Sequence, residues 1–319
     1  MVATRCFTFN HAPYIEDTLR GFTMQETDFP IVYCIVDDAS TDGEPEIIRK
    51  WANENLEQNK DEKLWKDIQY GDIAEASLKG KPLVKFVILL LKDNYYSQHK
   101  AKIPLVMEWI SNSKYVAICE GDDYWIDNRK LQRQVDCLER NNDISMCFHN
   151  AIITYEDKPL PASIFNNIGE DRVVTLEELI KKWIVPTASM VYRSSILPVF
   201  PIEGKIVSGD WRMILHCAAH GRVWALKNVM SVYRMAFHSG SSTSRNSGKR
   251  EKMYHQYRRI LESFDTYTNY EYHHLVKKYC KFWNNYERFV RLRERNAFLA
   301  VLMMPFFAAG RLFDKLKKD

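Results

Sequence analysis

From Val2 to Cys119 the chain alternates short apolar runs with segments in which apolar residues recur every third or fourth position. Val2 to Phe9 is strand-like and stops at Asn10-His11-Ala12-Pro13; Tyr14 to Gln25 then carries Ile15, Leu19 and Phe22 at helical spacing. Ile31 to Val36 is a continuous apolar run ending on Asp37-Asp38, and Asp42-Gly43-Glu44-Pro45 opens a second helix through Ile47, Ile48 and Trp51. Val84 to Leu91 predicts a third strand, His99 to Ser113 a helix, and Lys114 to Cys119 a fourth strand. The polar stretch from Asn53 to Lys81 has weak periodicity and is expected to be an exposed insertion.

The alternation continues with a helix after Asn128 (Leu131, Val135, Leu138), a strand over Ile144 to Tyr155, a helix over Thr175 to Trp183 and a strand over Ala188 to Tyr192. Asp210 to His220 reads as a helix stopped by Gly221, followed by two short strands, Val223 to Leu226 and Val229 to Tyr233. After the Ser/Gly-rich loop from Ser239 to Ser244, Lys249 to Arg295 is helical, aromatic and basic. Short apolar strands separated by helices predict an α/β fold, a mostly parallel sheet flanked by helices with right-handed crossovers. Ligands bind such sheets beyond the carboxyl ends of the strands. Phe9-Asn10-His11, Asp37-Asp38-Ala39-Ser40 and Glu120-Gly121-Asp122-Asp123 each follow a predicted strand, so they are expected to converge on one edge.

At 319 residues, 46% of them apolar, the chain has ample material for a core in one or two domains. Lys and Arg exceed Asp and Glu by only 45 to 41 and no nucleic-acid-reading motif is present, so no nucleic-acid partner is expected. The seven cysteines are widely spaced without a CxxC pair, which argues against a disulfide framework or a zinc site and for a reducing cytosol. Met1 runs straight into a strand-like segment, so no secretory leader is expected.

Charge matters more by position than by sum. Glu120, Asp122 and Asp123 crowd the end of the fourth predicted strand, and ionising all three together is costly without a cation or donors nearby. A hard divalent ion, magnesium or manganese, removes that cost. An acidic surface turn is the plain alternative. The position, after an apolar strand and before Tyr124-Trp125, favours a site.

Taken in order, Phe7-Thr8-Phe9-Asn10, Val36-Asp37-Asp38-Ala39-Ser40-Thr41-Asp42-Gly43 and Glu120-Gly121-Asp122-Asp123 resemble three motifs of the family 2 glycosyltransferases of the GT-A fold. The bacterial members that build cell-surface polysaccharides are the most similar, over roughly Thr4 to Ser241. Gly209-Asp210-Trp211 and the late Tyr233-Arg234 and Phe237-His238-Ser239-Gly240-Ser241 extend the likeness. Glu120 departs from the usual first aspartate of the D-x-D motif, Phe9 from a common tyrosine, and one extra residue precedes His238.

The resemblance implies a GT-A (Rossmann-like) domain over residues 1–245, with a helical extension at 246–296. It implies that Thr8, Phe9, Asn10, Asp38, Glu120 and Asp122 contact the nucleotide, and that Asp122, Asp123 and His238 hold Mn2+ or Mg2+. Arg234 would neutralise the diphosphate, and Asp210 would be the general base. For Asp210 an ordinary helix N-cap is the competing reading; for His238 it is a solvated loop histidine. The reaction implied is transfer, with inversion, from a nucleotide-sugar (a UDP-sugar) to a hydroxyl of a glycan or lipid-linked acceptor. Two alternatives stay open: a degenerate carbohydrate-binding or assembly scaffold of the same fold, and a sugar nucleotidyltransferase. The last needs a Gly-rich phosphate loop, which Asn10-His11-Ala12-Pro13 does not supply.

The uncharged run Ala297 to Gly310 lies between Arg291, Arg293 and Arg295 on one side and Arg311, Lys315, Lys317 and Lys318 on the other. It is short for a spanning helix, which needs about 20 apolar residues, and Pro305 interrupts it. Residues 297–319 therefore read as an interfacial segment on anionic lipid, at the inner face of the plasma membrane. A terminal helix packed on the aromatic face of Tyr254 to Trp283, or a homodimer contact, is the equal alternative.

Overall fold

The computed structural model describes residues 1–58, 62–156, 158–181, 183–204, 209–235 and 250–295, with side chains of the last segment over 255–285. Its strands are β1 (Val2–Thr8), β2 (Ile31–Asp37), β3 (Trp65–Ile68), β4 (Gly71–Leu78), β5 (Lys81–Leu91) and β6 (Tyr115–Ile118). They continue with β7 (Tyr124–Trp125), β8 (Ile144–Tyr155), β9 (Ser163–Ile164), β10 (Arg172–Val174), β11 (Val191–Arg193) and β12 (Arg222–Met235). The helices are α1 (Ile15–Thr23), α2 (Glu44–Asn55), α3 (Met107–Ser111), α4 (Lys130–Arg140), α5 (Leu176–Lys181), α6 (Gly209–Ala219), α7 (Arg250–Tyr267) and α8 (His273–Arg295).

One sheet runs β10-β12-β8-β11-β6-β1-β2-β5-β4-β3, with β7 on β12 and β9 on β8. Its centre, β6-β1-β2-β5, is parallel as the apolar runs predict. All seven residues of β2 are buried, because helices cover both faces. On one face Ile15, Leu19 and Phe22 of α1, Ile48 of α2 and Leu131 and Leu138 of α4 close the core. On the other, Ile110 of α3 and Met213 and Ile214 of α6 do so. A third cluster joins Trp211 and Leu215 of α6 to Ile260 and Phe264 of α7 and Val276 of α8.

Antiparallel strands extend this centre on both sides. The expected insertion at Asn53 to Lys81 contains a hairpin, β3–β4, that pairs antiparallel with β5 and lengthens the sheet. The two short strands expected between Val223 and Tyr233 are one strand, β12, parallel to β8, with irregular register between Leu226, Val229 and Ser231. The helix expected from His99 is confined to a 3-10 turn at Ile103–Val106 and α3: His99 takes a left-handed φ of 58°, and Pro104 lies at the start of the turn. The strand expected at Ala188 begins later, because Thr187–Ser189 is itself a 3-10 turn.

Candidate active site

The loops after β1, β2 and β6 meet at the carboxyl edge of the parallel strands. Asp38 N–H donates to Thr8 O at 3.0 Å and Gly121 N–H to Phe7 O at 3.2 Å. Asn10 N–H donates to Ser40 Oγ, and Thr41 N–H returns the contact to Asn10 Oδ1, each at 2.8 Å. Asn10 and Ala39 both hold left-handed backbone, φ 57° and 59°. Such conformations cost energy outside glycine and persist where surrounding contacts impose them.

Glu44, in the first turn of α2, ties the loop after β1 to the loop after β2, whose Ser40 Oγ lies 3.0 Å from its Oε2. It is fully buried, accepts the Thr8 hydroxyl proton, and accepts His11 N–H at 2.8 Å. Burial pushes its carboxyl up, while the Thr8 and His11 donors pull the other way. Asp37 is likewise buried, and its carboxyl is pushed up to about 6 despite the hydroxyl and N–H of Ser40.

The acidic loop is divided in its tasks. Glu120 accepts Arg5 Nη2 on one oxygen and Phe7 N–H on the other, each at 3.0 Å, and so fastens β6 to β1. Burial raises its carboxyl, Arg5 opposes, and the charges of Asp210 and Asp122 raise it further. Asp123 is 3% exposed and accepts Arg234 N–H from β12 at 3.0 Å; burial, then the charge of Asp122, holds its carboxyl well above the usual range. Asp122 is the open member: its side chain is one third exposed, and His11 Nε2 lies 3.7 Å from Oδ2.

Asp210 enters from α6, its Oδ2 accepting the Thr187 hydroxyl at 2.9 Å. Tyr233 shows how near the acids lie to one another: burial raises its phenol, and so do the charges of Asp123, Asp122 and Asp210 together. The acidic loop and Asp210 therefore share one electrostatic environment.

Several expected site residues have other partners. The Asp38 carboxylate is buried and accepts Tyr95 N–H at 2.6 Å, Tyr96 N–H at 3.1 Å and Lys102 Nζ at 2.7 Å, so it fastens segment 94–102 to the end of β2. The Thr8 hydroxyl is given to Glu44. Arg234 pairs with Asp17 and Glu156, donates to Asp122 O at 3.1 Å, and has the rings of Tyr14 and Tyr124 over its guanidinium. It braces the acidic loop from behind. Phe9 is half-buried beside Asn10, and His238 lies outside the described residues. Glu44 and His11 were not among the expected site residues; the signal for them was their place next to the first two motifs, and it is weak in a sequence.

Residues 7–64 match the family model described as Glycosyl transferase family 2. Over 232 residues, 72% of this chain, the sequence is 29% identical to the uncharacterized protein Rv1520 of Mycobacterium tuberculosis and to Mb1547 of Mycobacterium bovis. The match spans 58% of the length of those relatives. Among solved structures, S. aureus TarS residues 1–349 with UDP-GlcNAc superposes at a TM-score of 0.54 and 17% identity, covering 82% of this chain and 66% of that one. The UDP complex of the same TarS fragment gives 0.50 at 17% identity, over 82% and 64%. The fold is thus the mixed α/β fold of the GT-A glycosyltransferases, and together with the family match it supports a glycosyl-transfer role.

Proposed function

We propose that the chain is an inverting, divalent-metal-dependent glycosyltransferase that moves a sugar from a UDP-sugar to a hydroxyl of a glycan or lipid-linked oligosaccharide in cell-surface polysaccharide synthesis. The observation that carries this reading is the shared environment of Asp210 and the acidic loop at the carboxyl edge of the sheet. The UDP-GlcNAc bound by TarS, which shares the fold, supports a uridine-linked donor.

In an inverting displacement one base takes the acceptor's proton on the face opposite the leaving group. Asp210 suits that task. Thr187 holds Oδ2 and orients the group, Oδ1 is the oxygen proposed to meet the acceptor hydroxyl, and the first turn of α6 favours a negative charge. Asp122 and Asp123, with His238, are the residues proposed to hold Mn2+ or Mg2+. Among the described residues no three His, Cys, Asp or Glu side chains already converge as a complete cation site. The donor chemistry nevertheless fits an ion completed by diphosphate oxygens and water, since Asp122 is an accessible carboxylate. When bound, the ion stabilises the negative charge of the departing nucleoside diphosphate. Phe9 and Asn10 line the proposed nucleotide side, Asp38 and Glu120 shape it from beneath, and Arg234 acts by holding the acidic loop.

Among the described residues no helix is long and apolar enough to cross a membrane. Peripheral attachment at the inner face of the plasma membrane through residues 297–319, or a homodimer contact there, belongs to the same proposal. The test is release of UDP from a panel of UDP-sugars with manganese. Asp210→Asn is expected to cut transfer by about 100-fold or more, the usual scale for losing a general base, with donor affinity nearly unchanged. Wild-type protein that binds carbohydrate but releases no UDP from any donor would establish the scaffold reading instead.

A further inference from the structure

We propose that His11 is a further ligand of the divalent ion, forming with Asp122 a two-residue seat on the acidic loop. The inference rests on the metal-dependent glycosyl-transfer reading above and adds a residue to it.

A count of protons around the imidazole carries the argument. Thr8 has one hydroxyl proton, and it goes to Glu44 Oε1. The Thr8 oxygen also lies 3.1 Å from His11 Nδ1. With its proton given to the Glu44 carboxylate, that oxygen accepts from Nδ1, and in the neutral ring Nε2 then keeps its lone pair. Glu44 enforces the arrangement twice, since its second oxygen accepts His11 N–H.

The free lone pair faces another one. His11 Nε2 and Asp122 Oδ2 are 3.7 Å apart, too far for a hydrogen bond and within about 1 Å of the roughly 3 Å that separates neighbouring ligands on an octahedral ion, so a small side-chain adjustment brings both onto it. Both side chains are partly open to solvent, 24% and 33% exposed. Gly121 leaves room for the ring, since an added Cβ there would lie 3.2 Å from Nδ1. A histidine whose remote N–H is anchored through a hydroxyl to a buried carboxylate, with the near nitrogen beside an exposed carboxylate, is held as metal-binding histidines are, the anchor fixing the ring and its tautomer. The competing arrangement is a protonated His11 paired directly with Asp122, which leaves no nitrogen for an ion.

Pulsed EPR on the full chain with Mn2+ and UDP separates the two. The wild type is expected to show nitrogen coupling to manganese, His238→Ala to keep the part that His11 supplies, and the double variant His11→Ala/His238→Ala to lose that part. Calorimetry is expected to show Mn2+ binding about 10-fold or more weaker in His11→Ala and in the size-conserving His11→Gln. Nitrogen coupling as strong in the double variant as in His238→Ala, or manganese bound to His238→Ala without any nitrogen coupling, overturns the assignment of His11 and leaves the transferase reading standing. Wild-type protein that binds no Mn2+ with UDP present ends the metal-dependent reading and this inference with it.

Discussion

Position 121 has no room for a methyl group. An alanine Cβ there would overlap the Thr8 hydroxyl and Cβ. Thr8 is not free to turn aside, because its hydroxyl is bound to Glu44 on a fully buried path. Gly121→Ala should therefore cost about 1–3 kcal/mol through overpacking. It should also displace the Thr8 contact that orients His11, and with it the approach of His11 to Asp122. Thermal melting without ligand reads the first effect, and the added stabilisation by UDP with Mn2+ reads the second. A variant that melts with the wild type and gains as much from ligand would show that the loop has slack which this packing denies.

Elements differ in how plainly their sequences announce them. β8 was legible from Ile144 to Tyr155 because its first eight residues are all buried and mostly apolar. β4 was not: only Gly71, Ala74 and Leu78 are buried, so its pattern is diluted by solvent-facing residues and reads as a polar insertion. In β12, Lys227-Asn228 looks like a turn between two strands, whereas the parallel ladder with β8 absorbs it as an irregularity. In the site, the motif order gave the acidic loop and Asp210. Glu44 read only as an acid opening a helix, because its work depends on Thr8 and His11, more than thirty residues away in sequence. Helix α4 shows a further polar device inside an apolar stripe. Gln134 Nε2 donates to Cys147 O at 2.9 Å and Ser189 O at 2.8 Å, while its Oε1 accepts from Nζ of the fully buried Lys130 at 2.8 Å. Lys130 Nζ also lies 4.1 Å from the centre of the Trp125 ring. Burial pushes the Lys130 ammonium down to about 7. Between there and the unfolded value of about 10.4 the unfolded chain holds more protons, so stability rises with pH, by at most about 1.4 kcal/mol per unit. The benefit is lost as pH falls through about 7. Above about 8.5 the buried thiols of Cys119 and Cys147, held up by desolvation, oppose the gain, which fixes the useful window at about pH 7 to 8.5. Urea unfolding across that window should show a positive slope for the wild type that Lys130→Met lacks; parallel curves would mean the lysine does not titrate there.

At the scale of the whole molecule, the C-terminal helices reach the chemistry through α6. Trp211 and Leu215 lie on the helix that carries Asp210, and both pack in one cluster with Phe264 and Ile260 of α7 and Val276 of α8. Trp211 also donates its indole N–H to Leu179 O at 3.0 Å, tying α6 to α5. A general base, the role proposed for Asp210, must be held to within a fraction of an ångström, so on that proposal support behind its helix is support for catalysis. Phe264 is fully buried, between Phe200 and Tyr272. Phe264→Ala should cost about 3–5 kcal/mol, the range for emptying an aromatic site in a core. Because the cluster is shared between α6 and the extension, that loss should appear in a single unfolding transition, with tryptophan fluorescence and far-UV circular dichroism coincident. At temperatures where the variant stays folded, sugar transfer should fall more than donor binding, since the slack enters at Asp210 and not at the nucleotide loops. Separate transitions, with the sheet keeping the wild-type midpoint while helical signal melts early, would instead make residues 246–296 an independent appendage with no hold on the base.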